Sequence, residues 1–263
     1  MTFAPEPPVP STQPFLTYRP DERVRWGWRE VAMGFGVFVL ALVLAIIAAV
    51  VLPIDRGSDD AVSAFGFISS IIAYAALTAV IVVAARRRGI GSLAADFGLR
   101  FRWIDLAIGL GAGVALRVAF FILAAVVVGI SGHVPERGNF ELPTAGFWIV
   151  LNGFVLATLV APFVEELFFR GLVLRTVRNR TLRRGGSARR AIVVGITVSA
   201  AGFALAHMYQ SPDAVFLVIL GVSTLMVGAV NGFISVRTGR LGGAIVTHAV
   251  FNGIGIGLAL LVA

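Results

Sequence analysis

The chain has no cysteine and no lysine. The first absence excludes disulfides and thiolate-bound metals; the second makes all 22 basic residues arginine. Charge is also scarce. Only 14% of the 263 residues carry it and 58% are hydrophobic, against about 25% charged and 45–50% apolar in an ordinary soluble domain. With a mean hydropathy of +0.91, that composition is that of an integral membrane protein. The net charge of +8 and a pI near 11.4 would suggest nucleic acid in a soluble protein. Here the arginines fall between apolar segments, where they serve as topology signals and lipid-headgroup contacts, so no nucleic-acid partner is expected. The all-arginine, alanine- and glycine-rich composition reads as bacterial, which points to a bacterial plasma membrane.

The first 30 residues lack the short apolar core of a secretory signal. Residues 1–20 are proline-rich and polar and read as a disordered tail, and Trp26 and Trp28, among Arg23, Arg25 and Arg29, read as an interfacial anchor. The expected division is therefore 1–30 as tail and anchor, and 31–263 as a transmembrane helical domain. A hydrocarbon core needs about 20 apolar helical residues, and seven stretches qualify: 31–53, 62–85, 104–130, 147–174, 190–209, 213–235 and 242–262. The fold class expected is all-α, a polytopic transmembrane helical bundle of about seven spans. Arginine-rich and arginine-poor connections alternate along it, which places the N-terminus in the cytoplasm and the C-terminus outside. Gly109 with Gly113, and Gly253 with Gly257, are small-xxx-small pairs that allow close helix approach. No internal repeat of the transporter kind is visible.

Inside the spans the polar exceptions are Arg117, Asn152, Glu165, Glu166, Arg170, His207, Asn231, His248 and Asn252. Ionisable groups there cost about 2.5–3.5 kcal/mol each on insertion scales and mark function by default. Glu166 and Arg170 are four apart, so they meet on one helical face and read as an ion pair. Glu165 is turned about 100° away and needs a partner from another helix, a metal, or a raised pKa. Pro162 removes a backbone hydrogen bond just upstream. His207 ends the fifth span, while His248 and Asn252 share a face of the seventh. A carboxylate can take a proton from water, two imidazoles can hold that water directly or through a metal, and an asparagine amide can serve an oxyanion. There is no HExxH, and no serine or cysteine nucleophile in a recognisable setting with histidine.

Three motifs in register, "EELFFR" (residues 165–170), "FALAH" (203–207) and "HAVFN" (248–252), resemble the CAAX-protease and bacteriocin-processing family of intramembrane endopeptidases, also called type II CAAX prenyl endopeptidases or Abi-like proteins. The resemblance runs from about 96 to 260, and the tail and first two spans carry none of it. It implies that Glu165 is the general base, that His207 and His248 position the water or bind a metal, and that Asn252 is the oxyanion donor. Glu165, His207 and His248 would suffice for a zinc ion or for a metal-free glutamic protease. The substrate implied is a peptide or a membrane-anchored protein. The competing readings are a non-catalytic immunity or scaffold protein and, behind it, an ion-coupled transporter. Arg117 reads as snorkelling or pairing within the bundle, for instance with Glu165 or Glu166, or as receiving a substrate carboxylate. One mismatch concerns depth: strict spans put Glu165 and His248 towards the inside and His207 towards the outside. Extending the fourth span to about Leu174 or Val177, with 144–154 as an elbow leading into it, brings Glu165 near the midplane.

Overall fold

The structure, a computed structural model, describes residue 18, residues 20–135 and residues 147–261. Among the described residues there are eight helices: α1 (Trp28–Val51), α2 (Asp59–Arg88), the short α3 (Leu93–Phe97), α4 (Ile104–Ser131), α5 (Ile149–Arg183), α6 (Ala188–Leu205), α7 (Ala214–Thr238) and α8 (Gly242–Leu261). No strand occurs among the described residues. All but α3 are long and apolar enough to cross a membrane, so the chain is an integral membrane protein with the expected seven spans. Exposed Leu, Ile, Val and Phe side chains cover their outer faces, as expected where lipid is the solvent.

Local chemistry sets the ends of the helices. Ser58, Ser92, Ser187 and Asp213 each cap an N-terminus through a side-chain oxygen, satisfying amides that the first turn leaves unpaired. Gly98, Gly132 and Gly239 close α3, α4 and α7 in the left-handed conformation, where a Cβ is unfavourable.

Trp26 is buried within the protein, so its ring does not meet lipid as an interfacial anchor would. Its indole Nε1 donates to Asp96 Oδ1 at 3.0 Å and its ring packs on Phe97. Asp96 also accepts from the backbone N–H of Ile90 and Ser92, so the segment before α1 is fastened to the α2–α3 corner. Trp28 stays exposed. Residues 1–17 and 19, where most of the expected tail falls, lie outside the described residues.

Helix α4 packs most extensively on α8. A Cβ on Gly113 would come within 2.7 Å of Val250 and 2.8 Å of the Thr247 carbonyl, so the small residue is what lets these backbones approach. Of the second pair, Gly253 lies against Thr158 whereas Gly257 faces open space.

The fourth span is longer than the sequence suggested. Helix α5 runs unbroken for 35 residues, against about 20 needed to cross a hydrocarbon core, and its last turns carry the arginine cluster beyond that core. Residues 147–154 are helical, not an elbow; 144–146 lie outside the described residues. Two stretches, Ile149–Val160 and Leu167–Val173, are wound with i→i+5 bonds. Between them sits one α-wound stretch, Ala161–Glu166. Such wide turns are rare and concentrate at functional sites.

Candidate active site

The α-wound stretch Ala161–Glu166 ends on the two glutamates, and the rotation of about 100° between neighbours sends them to different partners. Glu166 points into a dry hub with no exposed surface. Its Oε1 accepts from Asn231 Nδ2 of α7 at 2.9 Å and lies 3.0 Å from His248 Nδ1 of α8 and 3.1 Å from Arg170 Nη1. No Arg170 N–H is aimed along that last line, so the contact is a charge pair and not a directed hydrogen bond. The guanidinium also lies over the Phe203 ring, 4.6 Å from its centroid, which adds the quadrupole attraction of an aromatic face. Gly228 leaves room for it: a Cβ there would meet Ala200 Cα at 2.8 Å and Arg170 Nη2 at 3.3 Å. The ion pair read from i, i+4 spacing is present, with two further partners that local spacing does not reveal.

Glu165 is turned towards a cavity of about 70 Å³ lined by Phe35, Phe38, Phe168, Phe169, His207 and Tyr209, among others. Its Oε1 accepts from the Tyr74 hydroxyl at 2.7 Å, and its Oε2 lies 3.8 Å from His248 Nε2. The partner from another helix that Glu165 needed is thus Tyr74 of α2, a span to which the sequence assigned no part of the site. The only sequence signal was a phenol in a run whose other polar side chains are small hydroxyls.

His248 stands between the two glutamates. Because Oε1 of a carboxylate accepts, Nδ1 carries the proton towards Glu166, and in the neutral ring Nε2 presents a lone pair towards Glu165. His207 follows the end of α6. Its Nδ1 lies 2.7 Å from the Phe203 carbonyl, which can only accept, so Nδ1 donates and Nε2 is left free. The rings of His207 and His248 flank Phe203, at 4.5 and 5.5 Å between centroids. Tyr209 lies outside the spans; burial and then the field of Glu165 push its phenol above the usual range, so it is a neutral O–H donor at pH 7.

Asn252 is not joined to this cluster by any hydrogen bond. Its Nδ2 donates to the Ala157 carbonyl at 2.8 Å, and the wound register of α5 explains why that carbonyl is open. The Ala161 N–H reaches back five residues to Leu156. The next bond in that register would join residue 162 to Ala157, but residue 162 is proline and has no N–H. Asn252 fills the place, with its second amide hydrogen left over.

Arg117 is held by neither glutamate. Its Nε donates to the Phe251 carbonyl at 3.0 Å, its Nη2 reaches the same oxygen, and the guanidinium lies 3.9 Å from the Phe251 ring centroid and 4.9 Å from that of Phe120. A carbonyl dipole and aromatic faces compensate it. Among the described residues no three His, Asp or Glu side chains converge into a metal-holding group. As arranged, Glu165, His207 and His248 offer donor types that suit zinc but not a closed ligand set.

Residues 146–254 match the family model for type II CAAX prenyl endopeptidases, Rce1-like. The matched stretch is narrower than the 96–260 expected. It contains Glu165, Glu166, Arg170, His207, His248 and Asn252, and leaves Tyr74 and Arg117 outside. No curated protein and no solved structure gives a match. Through residues 146–254, then, the chain is similar to the CAAX-protease family of intramembrane proteases.

Proposed function

We propose that the protein is an intramembrane endopeptidase in which Glu165 is the general base that activates water against a peptide carbonyl. The observation that carries this reading is the division of labour around Glu165: one oxygen held by Tyr74 at 2.7 Å, the other facing His248 Nε2 across 3.8 Å. That gap is too long for a direct hydrogen bond, and it suits one water that donates to both acceptors at about 2.8 Å. Such a water keeps its lone pairs for the carbonyl carbon. Glu165 takes one of its protons as the C–O bond forms. The carbonyl oxygen becomes an oxyanion, served by the second amide hydrogen of Asn252 and by the O–H of Tyr209. When the C–N bond breaks, Glu165 returns the proton to the leaving amine, so no charge accumulates over the cycle. Glu166 acts through His248: by holding Nδ1–H it keeps Nε2 as the acceptor the water needs.

Peptides or membrane-anchored proteins are the substrates in this reading, presented from the lipid to a site near the middle of α5. Prenylated tails are what the family's name describes; for a bacterial chain we favour unprenylated membrane peptides. The alternating arginine-rich connections support a cytoplasmic N-terminus. Reporter fusions at Asp59, Arg88 and Asp213 test this, and an outside signal at Arg88 overturns it. No step is routed through zinc, because the three donors do not close on one point. Cleavage should therefore withstand chelators, and a loss restored by zinc would show that Glu165, His207 and His248 gather around a metal.

The deciding experiment uses protein purified in detergent and a labelled peptide drawn from membrane proteomics with and without the protein. Glu165→Ala should abolish cleavage without changing the melting temperature. Ion flux in liposomes that Glu165→Ala abolishes, without cleavage of any membrane peptide, overturns the protease reading in favour of a transporter. Neither flux nor cleavage favours a scaffold.

A further inference from the structure

Helix α2 lies outside the matched segment, yet one of its side chains holds the group on which the proposed chemistry turns. We propose that Tyr74 is a positioning residue for Glu165, its hydroxyl fixing which carboxylate oxygen faces the substrate. The inference rests on the reading of Glu165 as general base.

Consider first what each oxygen does. The Tyr74 hydroxyl donates to Oε1 at 2.7 Å, within the range of charge-assisted O–H···O⁻ bonds. Oε2 is left for His248. Without the phenol the two oxygens would be equivalent, since the last torsion of a glutamate is broad and two-fold. A base that must meet a water in one orientation gains from having the other orientations removed beforehand. The other groups around the carboxylate do not supply this. His207, Tyr209 and Gln210 line the cavity, Arg170 acts on Glu165 only through space, and among the described residues Tyr74 alone donates a hydrogen bond to Glu165.

The position of the ring gives a second reason. Tyr74 lines the catalytic cavity and also an apolar groove on the outer side, with Ile71, Thr78, Val82, Val160 and Val164. The ring therefore forms the wall between groove and cavity, and its hydroxyl ties that wall to the base. Turning Glu165 out towards the groove would break the bond and place a carboxylate against hydrocarbon, which is costly. Thr78, one turn along, cannot take over: its hydroxyl is spent on the Tyr74 backbone carbonyl at 2.7 Å.

The test is Tyr74→Phe in the full chain, with kinetics and infrared spectroscopy on the same samples. Positioning predicts a fall in kcat of about tenfold, with KM within about twofold of wild type and a melting temperature lowered by no more than the few degrees that one lost charged hydrogen bond costs. The difference spectrum between wild type and Glu165→Gln isolates the carboxylate stretch of Glu165. That band should move in Tyr74→Phe, because one oxygen has lost its donor. An unmoved band shows that the bond is not made and overturns the inference. A loss seen only in KM or in melting temperature assigns Tyr74 to the cavity wall and also overturns it. Cleavage lost in Glu165→Gln but intact in Tyr74→Phe defeats this inference alone. Cleavage that survives Glu165→Gln defeats the base assignment and this inference with it.

Discussion

Replacing Glu166 by glutamine keeps the shape of the side chain and removes its charge, and the structure says what that should cost. Two magnitudes compete. Interhelical hydrogen bonds inside membranes average only about 0.6 kcal/mol, whereas breaking a buried ion pair from one side costs about 3–5 kcal/mol. The larger figure governs here. The Arg170 side chain has no exposed surface, and Glu166 is its one salt-bridge partner among the described residues. The variant leaves that guanidinium charged, with only aromatic faces and the distant field of Glu165 to balance it. At about 2–4 °C per kcal/mol for a chain of this size, the melting temperature in detergent should fall by about 10 °C. Arg170→Met should lose a similar amount, since it strands the carboxylate instead. The double variant should recover at least about 1 kcal/mol of the summed losses, as contacting residues do. Full recovery is not expected, because the glutamine of the double variant offers Asn231 and His248 one uncharged acceptor oxygen in place of a carboxylate. Differential scanning fluorimetry on the four proteins decides the matter. Strictly additive losses, or a shift below about 2 °C for Glu166→Gln, which is the range of ordinary surface changes, would refute the pair as a source of stability.

Three other outcomes follow from particular contacts. Arg117→Gln should lower the melting temperature, by about 1–2 kcal/mol for a lost charged hydrogen bond and cation–π contact, with KM unchanged; a raised KM would instead place a substrate carboxylate on Arg117. Pro162→Ala restores an N–H that competes for the Ala157 carbonyl, so Asn252 should lose its anchor and kcat should fall several-fold while the melting temperature holds or rises; an unchanged kcat refutes the anchoring. Gly113→Ala forces a Cβ to within 2.8 Å of the Thr247 carbonyl, so α4 and α8 must separate at a cost of about 1–3 kcal/mol, read as lost thermal stability. A melting temperature like that of wild type would mean the two helices are not held at that distance.

Much of the fold was legible in the sequence. Six of the seven spans fell within a few residues of the observed helices, and only the end of the fourth was missed, because hydrocarbon admits little besides long apolar helices. The Glu166–Arg170 pair was legible because i, i+4 geometry is local. So was the need of Glu165 for a distant partner, since a lone carboxylate at that depth is too costly. Its identity was not. Nothing in an apolar run distinguishes the side of α2 that faces α5, so Tyr74 carried no pattern, and Asn231 was one intramembrane amide among three. The wide winding of α5 was hidden for a related reason: a helix apolar all round shows no period from which a register could be read. Trp26 misled because a tryptophan among arginines has the composition of an anchor whether it meets lipid or, as here, Asp96 and Phe97. Arg117 misled because carbonyl groups, which can hold a cation, leave no trace in sequence.

The hub around Glu166 has a consequence for how the protein is made. Helix α5 carries three ionisable groups, Glu165, Glu166 and Arg170, each a liability of about 2.5–3.5 kcal/mol to a helix entering lipid alone. Two of the groups that settle Glu166, Asn231 and His248, lie on helices synthesised later. His248 follows it by 82 residues, so at about 5–20 residues per second the wait is about 4–16 s. During that interval α5 has only its internal ion pair and Tyr74 to shelter its charges. Helix α5 should therefore linger beside the insertion machinery until α7 and α8 emerge, and the segment from Ala214 onward becomes the step that commits the fourth span to the membrane. Chains truncated before Ala214 should show it: α5 crosslinked to the insertion machinery and cleared by proteolysis, where the full chain is neither.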